Sequence, residues 1–245
     1  MREISMRIIM KCLLAVSLAL LFMPAMVEAF DVVAFQEYDK TYYLEGDVLR
    51  VEKDLVMRNI GNNPIVPGEV RFRMYEVRGS TTVPSDIDEI YARDNSRELD
   101  ARVEKYSDYS DLIVHVFNPI LPGFDYPISI SYELEFNPTG ILFHEMLFPI
   151  EETTIPIRDS VTRLVMPNRY RVTFAPDTQI EQDGMRRTIE WDGDSELLLE
   201  YTRLPMPQMP FRMVSVFWLS VLMVLGVTFI YLNSRRPDRK KSKKR

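Results

Sequence analysis

The sequence predicts an all-β ectodomain, an antiparallel β-sandwich arranged as two immunoglobulin-like sandwiches in tandem, followed by one C-terminal transmembrane helix. Three observations lead there. Apolar and polar residues alternate with period two through most of the chain, the mark of strands with one buried face. Turn-forming residues recur every 8 to 12 residues or so, the spacing of a sandwich. Finally, the stretch from Val214 to Leu232 carries no charge, and about 20 apolar residues in helical form cross a hydrocarbon core.

The chain opens with Arg2, Arg7 and Lys11, then an apolar run from Cys12 to Met23, then Val27-Glu28-Ala29. A basic region, a short apolar region and small residues before a cleavage point make a secretory signal over 1–29. Its apolar run falls short of the roughly 20 residues a spanning helix needs. Cys12 is the only cysteine, so cleavage after Ala29 leaves a mature chain without a thiol. Disulfide staples, thiolate metal sites and cysteine nucleophiles are thereby excluded. Asn137-Pro138-Thr139 resembles a glycosylation acceptor disabled by its proline; with the missing disulfides this suggests a prokaryotic surface protein.

Strand patterns follow in order. Val32 to Tyr38 is the first. Leu49, Val51, Leu55 and Met57 alternate with Arg50, Glu52, Asp54 and Val56, and Val70, Phe72 and Met74 with Arg71, Arg73 and Tyr75; the turn residues Gly61-Asn62-Asn63-Pro64 and Pro67-Gly68 between them predict a long hairpin. Further strands are expected at 87–92, 102–106, 112–117, 128–136, 141–148, 161–166, 170–174, 188–191 and 196–202. The cleanest alternation is Ile128, Ile130, Tyr132, Leu134 and Phe136. Asn118-Pro119-Ile120-Leu121-Pro122-Gly123 precedes it and supplies the expected boundary, giving β-sandwich domains over 30–118 and 119–204. A single larger sandwich is the alternative, since all-β domains reach 200 residues or so.

Pro205, Pro207 and Pro210 then disfavour helix and predict a stiff, extended juxtamembrane stalk over 205–211. The transmembrane segment is placed at 212–232, with Arg212 and Trp218 as its outer flank residues. The tail, 233–245, holds Arg235, Arg236, Arg239, Lys240, Lys241, Lys243, Lys244 and Arg245 against the single acid Asp238. Such a block stays cytoplasmic, which places the ectodomain outside a plasma membrane. In a eukaryotic cell the same lysines would resemble an endoplasmic-reticulum retrieval signal. Charge is split accordingly: 33 of the 36 acids but only 18 of the 30 Lys and Arg lie between Phe30 and Phe211. An acidic exterior argues against nucleic acid as a partner.

Catalytic motifs are sparse. His144-Glu145-Met146-Leu147-Phe148 begins like a zinc-protease helix but has Phe where the second histidine belongs. His115 reads as an ordinary residue on the polar face of a strand. Asp86, Asp88 and Glu89 form one acid cluster; Asp192, Asp194 and Glu196, with Ser195, form another that offers several oxygens to calcium, although Asp-Gly is the favoured hairpin turn, which needs no ion, and is the preferred reading. Glu190, Glu200 and Asp183 supply carboxylates that glycoside hydrolysis would need in a close pair. Trp191 is expected in the core. No residue is assigned a catalytic role and no cofactor is expected. The expected function is binding by a membrane-anchored surface protein. Its partners are the bilayer, through the C-terminal helix, and a protein in the same membrane or envelope. An accessory subunit of a membrane enzyme or transporter is the second reading, and an extracytoplasmic hydrolase a remote third.

Overall fold

The fold is given by a computed structural model that describes residues 32–46, 48–135, 138–176, 178–192 and 197–234. The signal sequence, Asp194, Glu196 and the basic tail from Arg235 to Arg245 lie outside the described residues. Among the described residues, sixteen strands and one helix run in the order β1 (Val33–Glu45), β2 (Val48–Asn59), β3 (Gly68–Arg78), β4 (Thr81–Pro84), β5 (Ile87–Asp94), β6 (Glu98–Leu99), β7 (Ala101–Lys105), β8 (Ser110–Val116), β9 (Asp125–Glu135), β10 (Phe143–Leu147), β11 (Ile150–Thr153), β12 (Ile157–Pro167), β13 (Arg171–Phe174), β14 (Gln179–Asp183), β15 (Arg186–Asp192), β16 (Leu198–Thr202) and α1 (Met213–Ser234). The protein is thus mostly β-sheet with one C-terminal helix apolar enough to span a membrane.

An eight-stranded sheet ordered β14-β15-β12-β1-β2-β9-β5-β6 forms one layer. Its pairings are antiparallel except β1 with β12. Two smaller sheets supply residues to the same core: β11-β3-β8-β7, with β4 also on β3, and β10-β16-β13. Alternation is what lets them pack. In β1, Tyr38, Lys40, Tyr42 and Leu44 are buried while the residues between them are not, and a bulge between Phe35 and Glu37 turns Phe35 to the same face. Phe35 then stacks at 6.1 Å on Phe72 of β3, and Tyr42 meets Phe148 at 4.7 Å. Trp191 is buried beside Phe148 at 5.9 Å, the core position expected of it.

Two expectations from the sequence are corrected. The boundary at Asn118 does not divide the strands into two sandwiches, because the large sheet takes β1, β2, β5 and β6 from one side of it and β9, β12, β14 and β15 from the other. The arrangement follows the alternative of one larger β unit. Nor do β2 and β3 form a hairpin: β2 pairs with β1 and β9, and β3 with β4, β8 and β11. Each has a single apolar face, and both faces reach the core only if the chain crosses from one layer to the other. The buried Asn59 fixes that crossing, its side chain donating to the carbonyls of Asn63 and Ile120 (both 2.8 Å) and accepting from the Gly61 N–H at 2.9 Å. Pairing between distant strands leaves no trace in local alternation, which is why the sequence suggested neighbours instead.

Candidate functional site

The residues that bear on membrane attachment meet where α1 leaves the β unit. Its segment Met213–Asn233 is long and apolar enough to cross a bilayer, and none of it is buried within the protein. The first N–H groups of any helix lack internal partners. Here the carboxylate of Glu200 on β16 supplies them: one oxygen accepts from the Met213 N–H and the other from the Val214 N–H, both at 2.9 Å. Glu200 is only 1% exposed, and the Thr173 hydroxyl of β13 holds it at 2.6 Å. A negative carboxylate against the positive end of the helix dipole favours this geometry further. The carboxylate weighed for glycoside chemistry is therefore a helix cap, and its companion Glu190 is paired with Arg163 at 2.7 Å.

Two more contacts flank the cap. Arg212, expected to reach outward to headgroups, instead forms an ion pair with Glu145 of β10. One turn further, the Phe217 ring packs on Phe143 at 6.4 Å. The connector before the helix also differs from a free stalk: the Met209 N–H donates to the Thr173 carbonyl at 2.7 Å and the Gln208 amide to that of Ala175 at 3.4 Å. Prolines at 205, 207 and 210 exclude helix as expected, but β13 offers carbonyls at its edge and the connector takes them. Trp218 is exposed on α1, with its ring against Phe217 at 5.5 Å.

A second cluster lies deep between the sheets. Lys40 of β1 and Lys53 of β2 both pair with Glu151 of β11, and the Tyr38 hydroxyl donates to the same carboxylate at 2.5 Å. The Lys40 ammonium is 3.0 Å from it. Aromatic faces complete the enclosure, Lys53 lying 4.6 Å from the Phe72 centroid and 5.0 Å from that of Tyr132. Burial opposes every charge here. Against it, the two lysines and the hydrogen bonds hold Glu151 down at about 2. For Lys53, fully buried, desolvation prevails and brings the ammonium down to about 8. Lys40 is instead raised, the attraction of Glu151 overcoming burial. Such a cluster ties the layers together: the alternation of β1 and β2 turns Lys40 and Lys53 to the core face, and nothing in the sequence signalled that they or Glu151 would meet there.

Among the described residues, no group of three His, Cys, Asp or Glu is placed to hold a metal ion. Asp192 closes β15 opposite Val161, with its candidate calcium partners outside the described residues. Glu89 has a left-handed backbone (φ 49°) at the β5 bulge between Asp88 and Tyr91; Asp86 pairs with Lys105. His115 lies beside Arg102 at 2.7 Å and stacks on Phe117, and His144 stacks at 5.3 Å on Tyr201. The two histidines sit in different sheets.

A β unit capped directly onto a helix long and apolar enough to cross a bilayer is an arrangement consistent with membrane anchoring through that helix. The curated relative MJ1395 of Methanocaldococcus jannaschii, an uncharacterized protein, is 30% identical over 138 residues, which cover 56% of this chain and 98% of the relative. The chain belongs to the family of that archaeal protein. No family model matches it. Among solved structures, a zinc metallopeptidase from Deinococcus radiodurans aligns with a TM-score of 0.41 at 13% identity, covering 69% of this chain and 42% of the peptidase. A protein from Legionella pneumophila described as nutrient binding aligns at 0.45 and 10% identity, over 70% of this chain and 67% of the other. The chain thus spans about two fifths of the peptidase's length.

Proposed function

We propose that this is a single-pass, membrane-anchored surface protein whose β unit acts by binding a protein neighbour in the same membrane. The observation that carries this reading is the cap on α1. With Glu200 on the first helical N–H groups and Met209 tied to Thr173, the β unit is seated at the helix end with little free tether. A partner in another cell would call for reach, whereas a neighbour in the same bilayer benefits from a fixed height and a high effective concentration.

A surface suited to such contact lies at the opposite end of β9 from the helix. The Ile65–Ile120 bridge joins the 60–67 and 117–124 loops, and these present Val66, Phe117, Leu121 and Phe124 exposed. Large apolar side chains gathered on loops mark interaction sites more often than they serve the fold. The β unit is assigned to the outside and the basic tail to the cytoplasm, on the charge bias of that tail.

The test is photo-crosslinking in the native membrane from positions 117 and 124, with and without ten Gly/Ser residues inserted between Phe211 and Arg212 in a chain also carrying Glu200→Ala. A crosslinked membrane protein that is lost on loosening the junction is the expected result. Crosslinks indifferent to the insertion would overturn the dependence on fixed height. The reading as an accessory subunit of a membrane enzyme or transporter differs in the identity of the crosslinked protein.

A further inference from the structure

We infer that the end of the β10-β16-β13 sheet beside α1 is a lipid-facing foot, with Ile141 and Leu142 entering the bilayer interface and Arg169, Arg171 and Arg203 meeting lipid phosphates around them. The inference rests on the reading of α1 as a membrane span.

Two contacts fix the direction. Glu145 on β10 pairs with Arg212, just before the helix, while Phe143, two residues earlier on β10, packs on Phe217, a full turn into it. Moving back along β10 therefore means moving along α1 into the membrane. Ile141 and Leu142 form the bend immediately before Phe143, on the side of β10 that faces along α1, which puts them near the level of Phe217. They are 73% and 45% exposed, and the run Pro138 to Phe143 has no charge.

The loop is held in this shape. Thr139 and Glu145 exchange two backbone hydrogen bonds at 3.1 and 2.8 Å, and the Thr202 hydroxyl donates to the Leu142 carbonyl at 2.7 Å. Gly140 sits at φ 112°, where a Cβ would lie 1.9 Å from the Phe143 carbonyl oxygen, so only glycine permits the bend. Two exposed aliphatic side chains on a fixed bend would be costly in water, whereas beside a membrane helix they have an apolar medium to enter.

The arginines occupy the same end. Phe143 pairs with Thr202, and Thr202 with Arg171, so the three form one row across the sheet. Arg203 continues β16 in the membrane direction, and its guanidinium and that of Arg169 lie 5.6 and 5.0 Å from the Tyr170 ring. All three arginines are exposed. In a β unit that is acidic as a whole, this local basic rim matches the phosphate layer just outside the hydrocarbon.

The test uses the full chain in lipid vesicles, with Cys12→Ser and single nitroxide labels at Ile141→Cys, Leu142→Cys, Phe124→Cys or Leu222→Cys. Collisions with oxygen report immersion in lipid, and collisions with a water-soluble nickel chelate report exposure to water. Labels at 141 and 142 should favour oxygen, as at 222 in the helix, while the label at 124, apolar but at the far end of β9, should favour nickel. If 141 and 142 behave like 124 while 222 is immersed, the foot is overturned and the span stands. A water-exposed 222 would overturn the span itself, and this inference with it. In vesicles of rising anionic-lipid content the label at 142 should move deeper. Arg169→Gln, Arg171→Gln and Arg203→Gln together should abolish that shift, and a shift that persisted would overturn the phosphate contact.

Discussion

Glu151 shows how much can depend on one side chain. Among the described residues it is the carboxylate that pairs with both buried Lys40 and buried Lys53, and removing one partner of a buried ion cluster commonly costs about 3–5 kcal/mol, since the remaining charge is left without compensation. Glu151→Gln should lower stability by that order, measured by denaturant unfolding of the full chain in detergent. Lys53→Met should be far milder, within about 1 kcal/mol of the parent or above it, because it keeps the Lys40–Glu151 pair and removes the surplus charge. An equal loss in both variants would refute this account of the cluster. Acid should act through the same carboxylate. Its folded value, about 2, lies below the ordinary one, so its contribution is present above about pH 4.5 and is lost as pH falls toward 2. Lys53 has the opposite consequence for a base: with a folded value of about 8, the unfolded chain holds the extra proton between about pH 8 and 10.5, and stability rises across that window. Lys40, raised by Glu151, stabilises below its ordinary value and loses that contribution as pH climbs beyond it. A Glu151→Gln variant that kept the acid limb of the parent would show the limb to arise elsewhere.

At the scale of elements, the junction between β16 and α1 decides whether β unit and helix move together. A helix cap is worth about 0.5–2 kcal/mol, and this one reaches across the fold from Glu200. Glu200→Ala should therefore speed amide exchange at Met213 and Val214 by roughly 2- to 30-fold, while protection in β1 and β2 stays as it was. Unchanged exchange at 213 and 214 would mean that the cap contributes nothing to the helix end. The same junction explains why the connector defied its prolines. An extended segment lacking some N–H donors still has carbonyls and the free N–H of Met209, and a nearby sheet edge competes successfully with water for them.

For the whole molecule, the expected layout is testable without knowledge of the partner. Protease added to spheroplasts should digest the β unit and spare an epitope placed after Arg245; a protected β unit would reverse the orientation. Circular dichroism of the full chain in detergent should be dominated by strand and unaffected by reducing agent, and a mainly helical spectrum would contradict the fold.

Much of this was legible in the sequence, for reasons that are local. Strand faces follow from period-two burial, as in Ile128, Ile130, Tyr132 and Leu134, all buried in β9, and a helix apolar enough to span a membrane follows from length and lack of charge alone. Each depends only on residues within one element. What tertiary structure decided is which distant elements meet. The parallel pairing of β1 with β12 erased the boundary at Asn118, and the meeting of β16 with the first turn of α1 turned an apparent catalytic candidate, Glu200, into a cap. Glu151, on a four-residue strand at a sheet edge, carried no pattern that marked it for the core. Periodicity tells a side chain which face it occupies; only the packing of layers tells it what lies opposite, because that partner is set by chain crossings a hundred residues away.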